Sequence, residues 1–254
     1  DIPAGAMTMV AAVTGHGKTT FLINLLLRLQ ARYQGKRFYL LTYEEPSQAL
    51  LVKILNTHQG QDVSANNRRS LQSYVKNETK YVIEDMLPHL EQKYLEFGEL
   101  VANGWINVVD VDDTSDKLKE FIKLLGDRDD TGAVLIDYIQ MIRPGGDARY
   151  STRQGEMQRV CNELKEAAVS AQLPIIMGVQ VNREVKGHND LTATKMREAA
   201  DIEQIANLII GLWNNTGEKP DDERALQEEG KYTRDTMYLE ILKNRDGPKG
   251  SWDT

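Results

Sequence analysis

A single cysteine, Cys161, stands in the 254 residues, and one thiol cannot build an internal disulfide framework. Its place among helix-patterned residues marks it as a buried thiol rather than a nucleophile, and cysteine this scarce suits a reducing cytosol, so a cytoplasmic protein is expected. No apolar run approaches the roughly 20 residues that a membrane-spanning helix needs. No charged-then-apolar leader opens the sequence either, and the expectation is a soluble chain with no membrane partner. Surplus positive charge is also missing, since 31 Lys and Arg against 38 Asp and Glu leave a formal charge of −7. That balance excludes a broad nucleic-acid-coating surface, because non-specific affinity comes mainly from neutralising phosphates. A narrow basic channel remains compatible with it.

What the chain does have is enough apolar content, 41%, to bury a large core in one α/β domain. Strand-like runs recur at Met7–Ala11, Phe38–Thr42, Ile106–Val109, Ala133–Asp137, Pro174–Val179, Leu208–Leu212 and Met237–Lys243, with helix-patterned segments separating several of them. Such alternation predicts a mostly parallel sheet with helices on both faces. Gln59–Asn103 is polar and helix-prone and reads as surface helices, with Asn67-Arg68-Arg69 simply solvated. Gly145–Gly155 and Lys186–Lys195 read as loops beyond strand ends, where open α/β sheets meet ligands. Asn214–Tyr232 reads as an exposed excursion. Almost nothing precedes the first strand, so the chain reads as an excised or minimal core, with any upstream domain absent or cut away.

Ala12-Val13-Thr14-Gly15-His16-Gly17-Lys18-Thr19 is an apolar run that breaks into a Gly-rich turn and opens a long amphipathic helix. Backbone N–H groups of such a turn and the helix N-terminus behind it cradle phosphates. Lys18 then reaches the β- and γ-phosphates, and the Thr19 hydroxyl joins a Mg²⁺ ion. The candidates for binding a nucleoside triphosphate are therefore Thr14, Gly15, His16, Gly17, Lys18, Thr19 and Thr20. One departure is visible, because Ala12 stands where the generic phosphate-loop pattern begins with Gly.

Strand ends supply the rest. Ala133-Val134-Leu135-Ile136-Asp137 delivers a carboxylate beside the metal, and Phe38–Thr42 leads into Glu44 and Glu45. One of these two acids is a candidate general base, since hydrolysis needs a carboxylate within reach of the attacking water. Side-chain alternation lets only one face the phosphate, and Glu45 fits better as an acid complementing the following helix dipole. Gln180 ends another strand with an amide suited to sensing the γ-phosphate. Lys243 and Arg245 lie two residues apart, so both point to one side; they suit the charge on a transferring phosphoryl group, or they are a solvated turn.

Together these segments resemble the RecA-like motor domain of the DnaB-type replicative DNA helicases. That family reads A-A-R-P-S-M-G-K-T at the phosphate loop, so Ala11-Ala12 agrees with it where the generic pattern fails. Its F-S-L-E-M-P resembles Leu41-Thr42-Tyr43-Glu44-Glu45-Pro46 and places Glu44 on the catalytic glutamate. Its I-D-Y-L-Q resembles Ile136-Asp137-Tyr138-Ile139-Gln140, and its S-Q-L-N-R resembles Val179-Gln180-Val181-Asn182-Arg183. L-R-E-S-G-x-I-E-Q-D-A-D resembles Met196–Asn207, and K-Q-R-N-G-P resembles Lys243–Pro248.

The resemblance implies a hexameric ring with ATP sites between subunits, so that Lys243 and Arg245 reach the γ-phosphate bound by a neighbour. It implies single-stranded DNA as partner, tracked by Arg197, Glu198 and Ala200, with Ala200 where the family has Gly. Arg143, Arg149 and Arg153 would add charge to that channel. A primase and a helicase loader are the protein partners it suggests. The expectation is one RecA-like ATPase domain over 1–254, with the family's N-terminal helical domain and linker helix absent and the end at Thr254 falling where the family continues through another strand. Rival resemblances are to the KaiC and RadA groups, KaiC through the paired glutamates of Thr42-Tyr43-Glu44-Glu45, and to a scaffold on the same fold that has lost turnover.

Overall fold

The computed structural model describes residues 2–60, 87–146, 152–182, 185, 187–196, 199–214 and 237–253. Strand β1 (Met7–Ala12) leads through the Gly-rich turn into α1 (Lys18–Arg32), and β2 (Arg37–Thr42) into α2 (Ser47–Gly60). Then come α3 (Leu87–Ala102), β3 (Ile106–Asp110), α4 (Ser115–Gly126) and β4 (Thr131–Asp137). Helix α5 (Arg153–Ala171), β5 (Ile175–Gln180), α6 (Ala199–Ile205), β6 (Leu208–Asn214), β7 (Met237–Asn244) and β8 (Ser251–Asp253) complete the order.

The strands form one sheet in the order β3-β2-β4-β5-β1-β6-β7-β8. Pairings from β3 across to β6 are parallel, and β7 and β8 are added antiparallel. All seven expected strands form, most of them one or two residues longer than the apolar runs. Parallel strands are covered on both faces, which is why β1 is apolar apart from Thr8 and every one of its residues is buried. Side chains alternate: Met9, Ala11, Val134, Ile136 and Met177 meet Leu118, Ile122, Val160 and Leu164 of α4 and α5. Val10, Leu40, Leu135 and Ile176 meet Leu22, Leu26, Leu50, Ile54 and Phe97 of α1, α2 and α3 on the other face.

Differences from the sequence reading are local. Arg153, Gln154 and Gly155, read as loop, already belong to α5, because the Thr152 hydroxyl caps that helix by accepting the Gly155 N–H at 3.2 Å. A short strand beyond the seven expected, β8, pairs antiparallel with β7, with Leu239 opposite Trp252. Lys186–Lys195 carries two short 3₁₀ turns, His188–Asp190 and Ala193–Lys195. Most of the Asn214–Tyr232 excursion and the Asn67-Arg68-Arg69 run lie outside the described residues.

Candidate nucleotide site

The Gly-rich turn is shaped by glycine where it must be. Gly15 and Gly17 have φ of 88° and 83°, the left-handed region that L side chains rarely adopt, and a Cβ on Gly15 would meet nothing within 4 Å. That side of the turn is therefore open, whereas a Cβ on Gly17 would stand 2.8 Å from Met237 Cε. Lys18 and Thr19 begin that helix, and both converge on the tip of β4. The Thr19 hydroxyl donates to Asp137 Oδ2 at 2.6 Å, and Lys18 Nζ lies 3.2 Å from Asp137 Oδ1. The Lys18 and Asp137 side chains are only 14% and 5% exposed, so the pair is little screened by water. Lys18 Nζ also stands 3.7 Å over the centre of the Tyr138 ring, a cation–π contact.

Asp137 Oδ1 is buried and has no hydrogen-bond partner. Its charged neighbour is the Lys18 ammonium at 3.2 Å, and a cation beside Thr19 and Asp137 would give it a further partner. Hydroxyl and carboxylate oxygens are the hard donors that Mg²⁺ takes. Gly178 of β5 makes room for this corner, because a Cβ there would stand 2.8 Å from Lys18 Cδ and 3.1 Å from Asp137 Oδ1. Sequence reading passed over Gly178, although a glycine inside an apolar strand is a signal of close approach.

Gln180, between the tips of β1 and β4 in the sheet order, donates its side-chain amide to Thr14 Oγ1. Its backbone is held by a residue that sequence reading did not single out as functional: Gln140 Nε2 donates to the Gln180 carbonyl at 3.2 Å and Gln140 Oε1 accepts its N–H at 3.1 Å. Arg153 then donates to the Gln140 carbonyl at 2.6 Å.

The two adjacent glutamates lie in the bend past the end of β2, where strand alternation does not apply, and their side chains differ in their partners. Glu45 pairs with Lys53 at 2.5 Å, and its backbone N–H and carbonyl both bond the Thr42 hydroxyl. Glu44 is exposed and makes no ion pair or hydrogen bond with the described residues. It lies just past Thr42, which sits opposite Asp137 in the β2–β4 register.

His16 is used differently from its neighbours in the turn. Its ring is buried against Trp213, with centroids 4.3 Å apart, and Nδ1 accepts the Asn214 N–H at 3.1 Å. Burial lowers its pKa below 6.5. The side chain thus anchors the turn to the end of β6 and leaves only the His16 backbone for a ligand. Thr20 is exposed on the first turn of α1.

Lys243 and Arg245 lie at the opposite end of the sheet. Lys243 sits beside Ile209, which sits beside Met9, and the Arg245 N–H bonds to Asn207 O at 2.9 Å, before β1 begins. Along β1, Ala12 lies three residues beyond Met9 and five beyond Met7, so about 10 Å of strand separates Lys243, and about 16 Å separates Arg245, from the start of their own Gly-rich turn at 3.3 Å per residue. Both side chains reach consecutive carbonyls at the end of α6, Lys243 to Glu203 O at 2.5 Å and Arg245 to Gln204 O at 3.1 Å. Arg245 is exposed and Lys243 half-buried. Ala200 is exposed at the start of α6, while Arg197, Glu198 and Arg149 lie outside the described residues. Arg143 pairs with Asp112 at 2.8 Å and Arg153 with Glu156 at 3.0 Å, so neither presents an unpaired charge to a channel.

Comparison with known proteins bears on the fold and the family. The chain is 23% identical over 253 residues to the replicative DNA helicase DnaB of Mycoplasma genitalium, covering 97% of this chain and 49% of that protein. It is 25% identical over 251 residues to the replicative DNA helicase DnaC of Bacillus subtilis, covering 96% and 49%. It therefore spans about half the length of these curated relatives. In fold it resembles a separately solved ATPase domain, with a TM-score of 0.78 at 19% identity over 99% of this chain and 81% of that one. A DnaB-like replicative helicase solved with attention to its primase interactions matches with a TM-score of 0.75 at 19% identity, over 99% and 55%. The model of the DnaB-like helicase C terminal domain matches residues 2–254, and the chain belongs to that family.

Proposed function

We propose that the chain is the motor domain of a replicative DNA helicase, hydrolysing ATP between subunits of a hexameric ring to move along single-stranded DNA and part the duplex. The observation that carries this reading is the placement of two half-sites at opposite ends of one sheet: Lys18, Thr19 and Asp137 at one end, Lys243 and Arg245 at the other. Their separation within one copy supports a site that two copies complete between them.

In this reading the Gly-rich turn and Lys18 hold the β- and γ-phosphates. Thr19 and Asp137 would hold Mg²⁺, which when bound neutralises phosphate charge. Glu44 takes a proton from the attacking water as its oxygen bonds the γ-phosphorus. The bond to the β-phosphate oxygen breaks, and ADP and phosphate leave. Lys243 and Arg245 of the neighbouring copy balance the charge on the transferring group. Gln180 bonds Thr14 at the edge of the turn, which suits an amide that reports phosphate occupancy. Arg197, Glu198 and Ala200 would track the DNA strand largely through its phosphates, and a primase and a helicase loader are the expected protein partners.

The test is ATP hydrolysis by assembled rings with and without single-stranded DNA, alongside unwinding of a forked duplex. The expected result is DNA-stimulated hydrolysis and unwinding, both abolished by Glu44→Gln with nucleotide binding retained. Hydrolysis indifferent to DNA would favour a KaiC-like ATPase. DNA stimulation without strand separation would favour a RadA-like recombinase, and indifference to Glu44→Gln a scaffold.

A further inference from the structure

Lys165, in the middle of α5, lies close enough to the terminal basic pair to form one cluster with it. Lys165 Nζ donates to Asn207 Oδ1 at 3.1 Å and reaches Gly5 O at 3.5 Å. Asn207 joins the three elements, because its carbonyl accepts the Arg245 N–H and its side-chain oxygen also accepts the Met7 N–H at 3.2 Å. Arg245 is near enough that its charge, after burial, lowers the pKa of both Lys165 and Lys243.

Every acceptor these three cations use is uncharged: the carbonyls of Gly5, Glu203 and Gln204 and the amide of Asn207. Among the described residues none of the three is in an ion pair. The acids of α5 on either side of Lys165 are engaged elsewhere, Glu163 with Ser115 and Arg159, and Glu166 with Lys119 at 2.8 Å. The Glu203 carboxylate favours the charged form of Lys243, but by less than Arg245 opposes it. An ammonium carries three donors and a guanidinium five, so each side chain keeps donors for a further partner. Three like charges held together without a counter-ion repel one another, and an arriving anion relieves that repulsion.

We propose that Lys165 is a third cation of the intersubunit site, meeting with Lys243 and Arg245 the terminal phosphate of the nucleotide held by the Gly-Lys-Thr turn of a second copy. This rests on the two-copy site proposed above and adds a residue to it from a helix that carries none of the sequence motifs.

The test uses assembled rings carrying Lys165→Met, which keeps the aliphatic stem and removes the charge. DNA-stimulated kcat is expected to fall about tenfold or more with KM for ATP within about threefold, and Lys165→Arg to restore most of it. Rings mixing Lys165→Met subunits with Lys18→Ala subunits are expected to regain activity, because an intact turn on the first kind then faces an intact cluster on the second. Absence of recovery would overturn the proposal when the parallel mixture of Arg245→Met with Lys18→Ala does recover. If that control also fails, the two-copy site itself is wrong. A kcat equal to the parent's overturns the proposal, as does a fall in thermal stability that accounts for the lost activity. Should Lys165→Met not fold, Lys165→Gln, which keeps a donor for Gly5 and Asn207, is read in the same way.

Discussion

The side chain of Gln140 holds the backbone of Gln180 as a neighbouring strand would, donating to its carbonyl at 3.2 Å and accepting its N–H at 3.1 Å. The strand end that carries Gln180 is thereby aimed at Thr14 of the Gly-rich turn. Gln140→Ala removes both bonds, and at about 1 kcal/mol net for each the expected loss is about 1–2 kcal/mol in urea unfolding. Direct nucleotide titration should give a Kd within about twofold of the parent, whereas kcat should drop on the order of tenfold. Unchanged kcat in a folded variant would show that Gln180 needs no such support.

Gly178 is the position where a single methyl should reach the proposed phosphate site without touching the surface. Its Cβ would stand 2.8 Å from Lys18 Cδ and 3.0 Å from Cε, and Lys18 cannot simply swing away while Asp137 and the Tyr138 ring hold it. Gly178 is not among the glycines with positive φ, so the backbone accepts alanine. Gly178→Ala is expected to fold and to bind ATP about tenfold more weakly, which corresponds to about 1.4 kcal/mol. Equal affinity by calorimetry would mean that the Lys18 stem moves freely.

His16 should make stability depend on pH in the mildly acid range. Burial lowers its folded pKa below 6.5, and Nδ1 accepts a hydrogen bond that needs its lone pair. Below about 6.5 the unfolded chain binds a proton that the folded chain refuses. The contribution is therefore fully present above that pH and is lost as pH falls toward the lowered folded value. His58 is shifted the same way by burial and then by Lys93, so the measurement is a difference. Urea midpoints from pH 7 to pH 5 should fall less steeply for His16→Gln than for the parent, and parallel curves would exclude the effect.

What was legible in the sequence was whatever local chemistry demands. Gly15 and Gly17 announce a turn that other residues cannot make, and Lys18 and Thr19 follow at fixed spacing. Asp137, Gln180 and Glu44 each stand at or just past the end of an apolar run, so the parallel sheet that places those ends together was readable from the same runs. Contacts between distant segments were not. Gln140 and Gln180 are 40 positions apart, Met7 and Asn207 200, and nothing in either neighbourhood announces the other. Lys165 has acids on both sides and reads as part of a solvated helix until α5 is seen packed beside α6. His16 looked like a loop residue because Trp213, which covers it, comes from the far end of the chain.

In the two-copy site proposed above, the separation of Lys18 from Arg245 along β1 would also set the kind of association the chain forms. Two copies that join these ends use different patches, so the contact is head-to-tail and repeats without self-pairing. An open row of copies then always leaves one Gly-rich turn uncompleted at its end, and only closure into a circle removes that idle terminus. Catalytic capacity per copy should therefore rise as the row lengthens and reach its full value when the last copy meets the first.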